Sequence, residues 1–258
     1  MTSRYEVTLG DVKMSTLDED LLILDVGYPV PEYETDEYTI ANLDGYDISD
    51  TRLKKRLVTV TFELHIYDIQ KRNEVCQKVN AWAQSGGTLK INDKQDQYLT
   101  VRCEQYASVE SVRDWTAPLT LTFATVAIPY WKSVTEKVLT ISGTSASGTL
   151  KMDGNTSEAL VSVTVTANVA LTNATLKFVV GDTNIKLTNI TLAKDKELVI
   201  DYKNSRFLRI RADGTSVLKQ LDPSSTDNLR AKCGTNVSVS LSSGGKITAV
   251  FKARGLWL

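Results

Sequence analysis

The chain has few of the residues on which most enzyme and metal sites depend. Its 258 residues contain one histidine, His65, and three cysteines, Cys76, Cys103 and Cys233. A single histidine excludes a multi-histidine metal site and leaves one candidate base for a serine triad. The cysteines have no metal-ligand spacing, so we expect reduced thiols, with neither a bound metal nor a cofactor.

Long apolar runs are also missing. No stretch approaches the ~18 consecutive apolar residues that a membrane-spanning helix needs. The polar start Met1–Glu6 has no apolar segment of the secretory type. We therefore expect a soluble protein made in the cytoplasm, without membrane insertion and long enough for two ordinary domains.

Short runs that resemble ligand-binding motifs are incomplete. Residues Gly143–Gly148 lack the Lys-Ser/Thr ending of a phosphate-binding loop, and no helix is predicted after them, so a flexible turn is expected. Asp18–Asp20 has neither the glycine nor the final glutamate of a calcium loop. We therefore assign no catalytic residue and predict that the chain is not an enzyme. A hydrolase built on two carboxylates that meet only in the folded chain stays as an alternative.

The segment from Leu57 to Trp131 has the clearest structural pattern. Apolar and polar side chains alternate from Val58 to Tyr67, which predicts a strand with one buried face. The apolar residues are Val58, Val60, Phe62, Leu64 and Ile66, and the polar face has Thr59, Thr61, Glu63, His65 and Tyr67.

An amphipathic helix is predicted to follow, with Asp68 as its N-cap and Gly86-Gly87 at its end. A hairpin that turns at Asp93–Gln97 and a strand at Leu119–Phe123 complete the pattern. The apolar helix face has Val75, Cys76, Val79, Trp82 and Ala83, and the polar face has Lys71, Arg72, Glu74 and Lys78.

The second half contains many short apolar-alternating segments separated by turn residues, which favours an antiparallel β-sandwich. Turns are expected at Gly143–Gly148 and Gly244-Gly245 among others. We predict a mainly β chain with two domains, residues 1–132 and 133–258. The predicted strands are Val138–Ile141, Val161–Ala167, Leu176–Val180, Ile185–Leu192, Leu198–Tyr202, Phe207–Ala212, Val237–Leu241 and Ile247–Phe251.

Charge is unevenly distributed. Residues 1–132 have 14 basic and 21 acidic residues (−7), and residues 133–258 have 16 and 10 (+6). From Met14 to Thr51 there are eleven acidic residues and no basic one, and four basic residues follow directly. One interpretation is a solvated acidic loop followed by a solubilising basic turn. The other is an arm that docks on a neighbouring subunit by charge complementarity.

The acidic stretch contains an excursion from Gly27 to Asp50 that is rich in tyrosine and proline, with a hairpin predicted at Asp44-Gly45. Long excursions without a core of their own are commonly functional, and tyrosine is suited to interfaces. We predict an oligomer interface that consists of Tyr28, Pro29, Tyr33, Tyr38, Ile40, Arg52, Lys54, Lys55 and Arg56.

The chain resembles the distal tail proteins (Dit) of long-tailed, non-contractile phages of Gram-positive hosts. The resemblance covers nearly the whole chain and lies in patterns rather than invariant motifs. It rests on the excursion Gly27–Asp50 with the strand after it, the helix ending in Asn80-Ala81-Trp82, the run from Pro118 to Trp131, and the terminal Val250–Arg254.

The resemblance implies a structural virion protein of the siphovirus baseplate, located at the tail tip. It implies a homo-hexameric ring formed by the N-terminal domain, with an arm from each subunit on its neighbour and a lumen that passes DNA. The C-terminal domain would be galectin-like. The implied partners are the tail tube protein, the tail-tip protein and the receptor-binding or baseplate proteins that mediate host attachment.

Two expectations limit what the chain binds. The negative first half predicts a lumen that does not bind DNA, since like charges repel. The alternative function is a carbohydrate-binding module on the host envelope, which would use aromatic platforms in the second half. The candidates for such platforms are Phe178, Tyr202, Phe207, Phe251 and Trp257.

Overall fold

The computed structural model describes residues 4–38, 47–109, 117–156, 158–203 and 205–258. The chain divides into two compact units, Met1–Trp131 with Leu258, and Lys132–Trp257. Both units are built mainly of antiparallel β-sheet, and the described residues contain one α-helix. The predicted fold class, mainly β with a single helix in the first half, is confirmed.

The first unit is a curved set of antiparallel strands. Seven of them follow one another in the order β2-β1-β7-β8-β9-β6-β3, and β4 and β5 form a separate two-stranded sheet. The elements are β1 (Val7–Leu9), β2 (Val12–Lys13), β3 (Leu21–Gly27), β4 (Tyr33–Tyr38), β5 (Asp47–Leu53), β6 (Leu57–Leu64), α1 (Ile69–Gln84), β7 (Gly87–Ile91), β8 (Gln97–Gln105) and β9 (Leu119–Thr125).

The core of the first unit lies between this sheet and α1. The apolar face of β6 is buried as the alternation predicts, and Trp82 of α1 meets Phe123 of β9 edge to face at 6.0 Å. The carboxylate of Asp68 accepts a hydrogen bond from the Gln70 backbone N–H, which confirms the predicted N-cap. Gly86 follows the helix with a φ of +57°, the left-handed conformation that favours glycine.

Two details of the sequence interpretation are wrong. The strand β6 ends at Leu64, so His65 and Tyr67 lie in the connection to α1 and do not continue the polar face. There the backbone N–H of His65 donates to Asp20 O at 2.9 Å. Arg72 was assigned to the polar helix face, but it is buried, and it lies beside the same cavity as Tyr106 and Pro118.

The second unit is an antiparallel sandwich. Its sheet has the strand order β14-β13-β19-β12-β15-β16-β17, and β11 pairs with β19. The strands are β10 (Trp131–Ser133), β11 (Lys137–Lys151), β12 (Glu158–Ala167), β13 (Leu171–Val180), β14 (Thr183–Leu192), β15 (Glu197–Lys203), β16 (Phe207–Ala212), β17 (Thr215–Ser216), β18 (Arg230–Lys232), β19 (Asn236–Ala253) and β20 (Leu256–Trp257).

A bent ribbon of β11 and β19 joins the two layers of the sandwich. Residues 239–243 of β19 pair with β13, whereas residues 247–253 pair with β12. β11 stays paired with β19 along both halves, with one bulge between Gly143 and Ser145. The buried rings of Phe178 and Phe251 meet at 6.2 Å between the layers.

The turns predicted at Gly143–Gly148 and Gly244-Gly245 are therefore wrong. Both glycine-rich stretches lie inside continuous strands, at the level where the ribbon bends. A Cβ on Gly148 would lie 3.2 Å from the side chains of Leu139 and Ile141, so a larger residue would have to displace these side chains where the two halves of β11 face each other. Glycine marks a bulge and a bend here. In the sequence alone, glycines at a bulge and glycines in a turn give the same pattern.

The outer edge of β14 is covered by the segment from Leu221 to Thr226. The backbone N–H groups of Asp222 and Thr226 donate to Lys186 O (2.9 Å) and Asn184 O (2.8 Å). In return, Lys186 N–H donates to the Ser225 hydroxyl at 2.9 Å and Asn184 N–H to the Thr226 hydroxyl at 3.0 Å. The half-buried carboxylate of Asp222 accepts hydrogen bonds from Ser224 and from Lys186, which lower the pKa of Asp222. This segment therefore satisfies an edge that would otherwise be open.

Removing one covering hydroxyl should open this edge locally. We expect Ser225→Ala to speed hydrogen exchange of the Lys186 amide and to destabilise the protein by about 1 kcal/mol, the contribution of one hydrogen bond. Ser224→Ala is the control, because the Ser224 hydroxyl bonds Asp222 and not the strand. Unchanged exchange at Lys186 in Ser225→Ala would show that the hydroxyl does not protect the edge.

Candidate assembly interface

The excursion of the first unit contains a hairpin of β4 and β5. Tyr33 pairs with Leu53 and Glu34 with Arg52, with a bulge between Asp36 and Glu37. Neither strand joins the main sheet, since the two form a two-stranded sheet on their own. A two-stranded hairpin is marginally stable in water without further packing. The residues of the predicted turn, Asp44-Gly45, lie outside the described part of the chain.

The basic residues of the hairpin form ion pairs with acidic residues of the same excursion. Arg52 Nε donates to Glu34 at 3.0 Å, and Lys54 Nζ donates to Glu32 at 3.3 Å. The Glu34 carboxylate raises the pKa of Arg52. Between Glu32 and Lys54 the sequence has seven acidic and two basic residues, so the hairpin keeps a negative charge.

Arg56 anchors the base of the hairpin from inside the protein. Its side chain is only 2% exposed. Nε donates to Pro129 O at 3.0 Å, and Nη1 donates to Tyr28 O at 3.2 Å and to Pro29 O at 2.8 Å. Burial lowers the pKa of Arg56. Arg56 therefore ties the start of the excursion to residues 129–131. The acceptors of these three hydrogen bonds are backbone carbonyl groups, which carry only partial charge, and not carboxylates.

Aromatic rings complete this base. Tyr28 meets Trp131 edge to face at 5.4 Å, and the guanidinium of Arg56 lies 6.0 Å from the Trp131 ring centroid. Lys94 Nζ lies 5.3 Å from both ring centroids. The Tyr28 hydroxyl donates to the Asp93 carboxylate, and this hydrogen bond raises the pKa of Tyr28 to about 12. The hairpin therefore emerges from a fixed base.

The structure separates the predicted interface residues into two groups. Tyr33 and the ion pair of Arg52 are exposed on the hairpin, where Tyr33 is 62% exposed. Tyr28, Pro29 and Arg56 belong to the base. Tyr38 is the last residue of β4, and Ile40 lies outside the described residues.

The two lysines that precede Arg56 are also engaged within the chain. Lys55 Nζ donates to Glu104 Oε1 at 2.5 Å, which lowers the pKa of the Glu104 carboxyl. Lys54 is paired with Glu32. The basic run Arg52–Arg56 is therefore no free patch for a neighbouring subunit's acidic arm. The interface role of these residues stays a prediction.

Sequence reasoning missed the partners that hold the base together. Pro129 and Trp131 lie in a segment that the sequence marked only as the end of a pattern, and Asp93 and Lys94 were interpreted as a plain turn. The signal available was the clustering of proline and aromatic residues at Tyr28-Pro29 and at Pro129–Trp131. Nothing in the linear sequence indicates that these two segments meet.

The polar face of β6 is a second surface of the first unit. Thr59 lies opposite Thr122, and Thr61 lies opposite Thr120, and all four side chains are half-buried. At the end of the same sheet, β3 pairs with β6 on one side. This threonine-rich face, with Glu63 as its charged residue, lies next to an edge strand, and such a surface can offer contact area and backbone groups for association.

Other kinds of site find little support in the described residues. None of the described His, Cys, Asp and Glu residues forms a group of three or more that could hold a metal ion. No helix in the described ranges is long and apolar enough to cross a membrane.

The aromatic platforms needed for sugar binding are mostly inside the second unit. Phe178 and Phe251 are buried, and burial raises the pKa of Tyr202 to about 12. Phe207 alone among the five candidates is largely exposed, at 66%. Carbohydrate binding by this unit stays a prediction.

The fold, a curved sheet with one helix and a hairpin followed by an antiparallel sandwich, is similar to the folds of solved phage baseplate proteins. The chain matches the crystal structure of the Dit protein of phage SPP1, a paradigm of the hub adsorption apparatus in phages that infect Gram-positive bacteria. That match has a TM-score of 0.69 at 16% identity and covers 97% of this chain and 98% of that one.

The chain also matches a protein of the phage P2 baseplate in its activated conformation, solved with calcium and again with strontium. Each match has a TM-score of 0.50 at 8% identity and covers 97% of both chains. No family model and no curated protein sequence matches this chain. At these identities the likeness concerns the fold, and it confirms the fold that the resemblance to distal tail proteins implied.

Proposed function

We propose that this protein is a structural hub of a phage tail tip, with no catalytic role. The observation that carries the proposal is the match of 97% of the chain, through both units, to the SPP1 hub protein. Because the match includes the hairpin and the sandwich together, it supports a shared architecture rather than one common domain. We assign residues 1–132 to ring formation and residues 133–258 to the attachment of other baseplate proteins.

The ring in this proposal contains six copies in head-to-tail contact. The hairpin is negatively charged and lacks a packing partner strand among the described residues, so a neighbouring subunit is the natural place for it. The threonine-rich face of β6 and the edge strand β3 provide further contact area. The ring would join the tail tube protein to the tail-tip protein.

The second unit would face outward and attach receptor-binding or baseplate proteins. Its net charge of +6, against −7 for the first half, gives the two halves different electrostatic preferences for partners. The negative first half supports a lumen that lets DNA pass without binding it.

Mass and symmetry of the purified protein test the proposal. We expect light scattering to give six times the 28.5 kDa chain mass, and negative-stain electron microscopy to show rings with six-fold symmetry. We also expect no binding of duplex DNA by these rings at low salt, where electrostatic binding is strongest. A monomer at high concentration and low salt would contradict ring formation, and DNA binding would contradict the negative lumen.

A further inference from the structure

The sheet edges of the second unit differ in how far they are covered by other parts of the chain. The edge at β14 is covered by Leu221–Thr226, as described above, and the edge at β17 is only two residues long. β11 has fifteen residues and pairs with β19 on one side. Within the described ranges no strand pairs with its other side. In an antiparallel strand alternate residues direct N–H and C=O groups to each side, so β11 offers a row of backbone groups.

The composition of β11 does nothing to block pairing. From Val138 to Leu150 the strand has no charged residue and no proline. Natural edge strands are commonly protected by lysine, proline, a bulge or short length. Here the bulge at Gly143 divides the edge into two straight halves, and lysine occurs only at the two ends, Lys137 and Lys151.

The half from Lys137 to Gly143 has the better docking surface. Val138 is 55% exposed, although valine is usually buried, and the exposed Thr140 and Ser142 follow it on the same face. A partner strand would place an apolar side chain against Val138 and a hydroxyl-bearing one against Thr140, both favourable cross-strand pairs. The second half contains Gly148 and offers less side-chain surface.

A second copy of this chain fits the edge poorly. Antiparallel self-pairing over the whole strand would place Lys137 of each copy opposite Lys151 of the other. Parallel self-pairing would place identical lysines side by side. Like charges opposite one another destabilise a sheet. Over the shorter half Lys137–Gly143 the lysines of two copies would not meet, but pairing would still bring together two second halves that each carry a net charge of +6 and repel one another. The uncharged centre of the strand stays open to a different sequence.

We propose that the Lys137–Gly143 edge of β11 binds an extended, uncharged segment of a different protein, which adds to the sandwich as an antiparallel strand. Backbone hydrogen bonds would provide the affinity, and alternation of apolar and hydroxyl side chains in the segment would provide the specificity. This inference goes beyond the hub function and does not depend on ring formation, because the edge belongs to the second unit.

The test uses the full chain and a defined probe. The probe is a nine-residue segment of alternating valine and threonine, fused through a glycine–serine linker to an inert soluble carrier. The control probe has proline at the central position and cannot complete the strand. We expect hydrogen exchange of the backbone amides in Lys137–Gly143 to slow with the first probe and to stay unchanged with the second.

Two variants locate the binding. The double variant Val138→Glu/Thr140→Glu should weaken probe binding at least tenfold. The matched variant Ser147→Glu/Thr149→Glu places the same two charges on exposed positions of the other half of β11 and should change binding less than twofold. Both pairs of positions are exposed and none lies opposite an acidic residue of β19, so both variants should keep the melting temperature of the parent protein.

Three results would overturn the proposal. The first is unchanged exchange in Lys137–Gly143 at about 1 mM probe, where even weak binding is populated. The second is equal weakening by both double variants. The third is concentration-dependent pairing of the protein with itself that Val138→Glu/Thr140→Glu abolishes, which would assign the edge to a second copy. A ring that fails to form would contradict the hub proposal and leave these measurements unaffected.

Discussion

Deleting the hairpin should convert the proposed ring of six copies into single chains while leaving the first unit folded. The backbone N–H of Lys54 donates to Glu32 O at 2.9 Å, so residues 33–53 can be replaced by Asn-Gly, the turn suited to a two-residue connection. The hairpin packs into no described sheet, so its loss removes little of the core. We expect light scattering to give the mass of one chain instead of six.

The control for this deletion is a variant that keeps the hairpin and loses one cross-strand ion pair, Glu34→Gln/Arg52→Gln. This exposed pair contributes little to stability, so the six-fold particle should persist. A deletion variant with an unchanged melting temperature and a ring of six copies would place the interface elsewhere, on the β6 face or the β3 edge. Near-ultraviolet circular dichroism verifies that the tryptophan environments remain ordered.

Replacing Arg56 with methionine should strongly destabilise the first unit. Methionine has a similar length but leaves the carbonyls of Tyr28, Pro29 and Pro129 without their donor. Hydrogen bonds from a charged donor contribute about 1.5–3 kcal/mol each, and release of a buried cation from its desolvation cost offsets part of the loss. We expect a net loss of about 3 kcal/mol in the free energy of unfolding.

A thermal scan measures this effect as a melting temperature lowered by about 10 °C, on the scale expected for a unit of this size. The control is Lys54→Met, since Lys54 is exposed and forms only a surface ion pair. Its melting temperature should match that of the parent. Equal melting temperatures for Arg56→Met and the parent would mean that the buried bonds do not stabilise the base of the hairpin.

These two results would separate the parts of the interface. The deletion tests the exposed hairpin, which carries a negative charge and whose two strands pair only with each other among the described residues. Arg56→Met tests the base that fixes the direction in which the hairpin leaves the unit. A protein that loses its base but stays folded should form rings with a lower yield, because each hairpin must then be ordered as the subunits associate.

Several local features were predictable because their causes lie close together in the chain. The alternation from Val58 to Leu64 needs only the period of a strand, and the cap at Asp68 needs only a carboxylate two residues before an N–H. The end of α1 before Gly86 likewise follows from one residue's backbone preference. The resemblance to distal tail proteins added the order of these elements, which the fold comparison confirms.

Other features were not predictable because they depend on which segments meet. By sequence Arg72 occupies a position on the polar face of the helix. In the fold it is buried, and it lies beside the same cavity as Tyr106 and Pro118. The run Arg52–Arg56 has the sequence of a basic patch, but its members find carboxylates and carbonyls from residues up to 73 positions away. Charge patterning records which ions are present and not whether they are already paired.

The sequence by itself determined the mainly β composition, the single helix with its two ends, and the shortage of residues for metal or histidine-based chemistry. Tertiary structure decided that the glycines at 143 and 244 lie where a continuous ribbon bends, and that Arg56 is an internal anchor. It also decided that β11 has a pairing strand on one side only, among the described residues. The physical reason is the range of the interactions. Backbone preferences and side-chain periodicity act within a few residues, whereas strand pairing, burial and ion pairing are fixed only when distant segments come into contact.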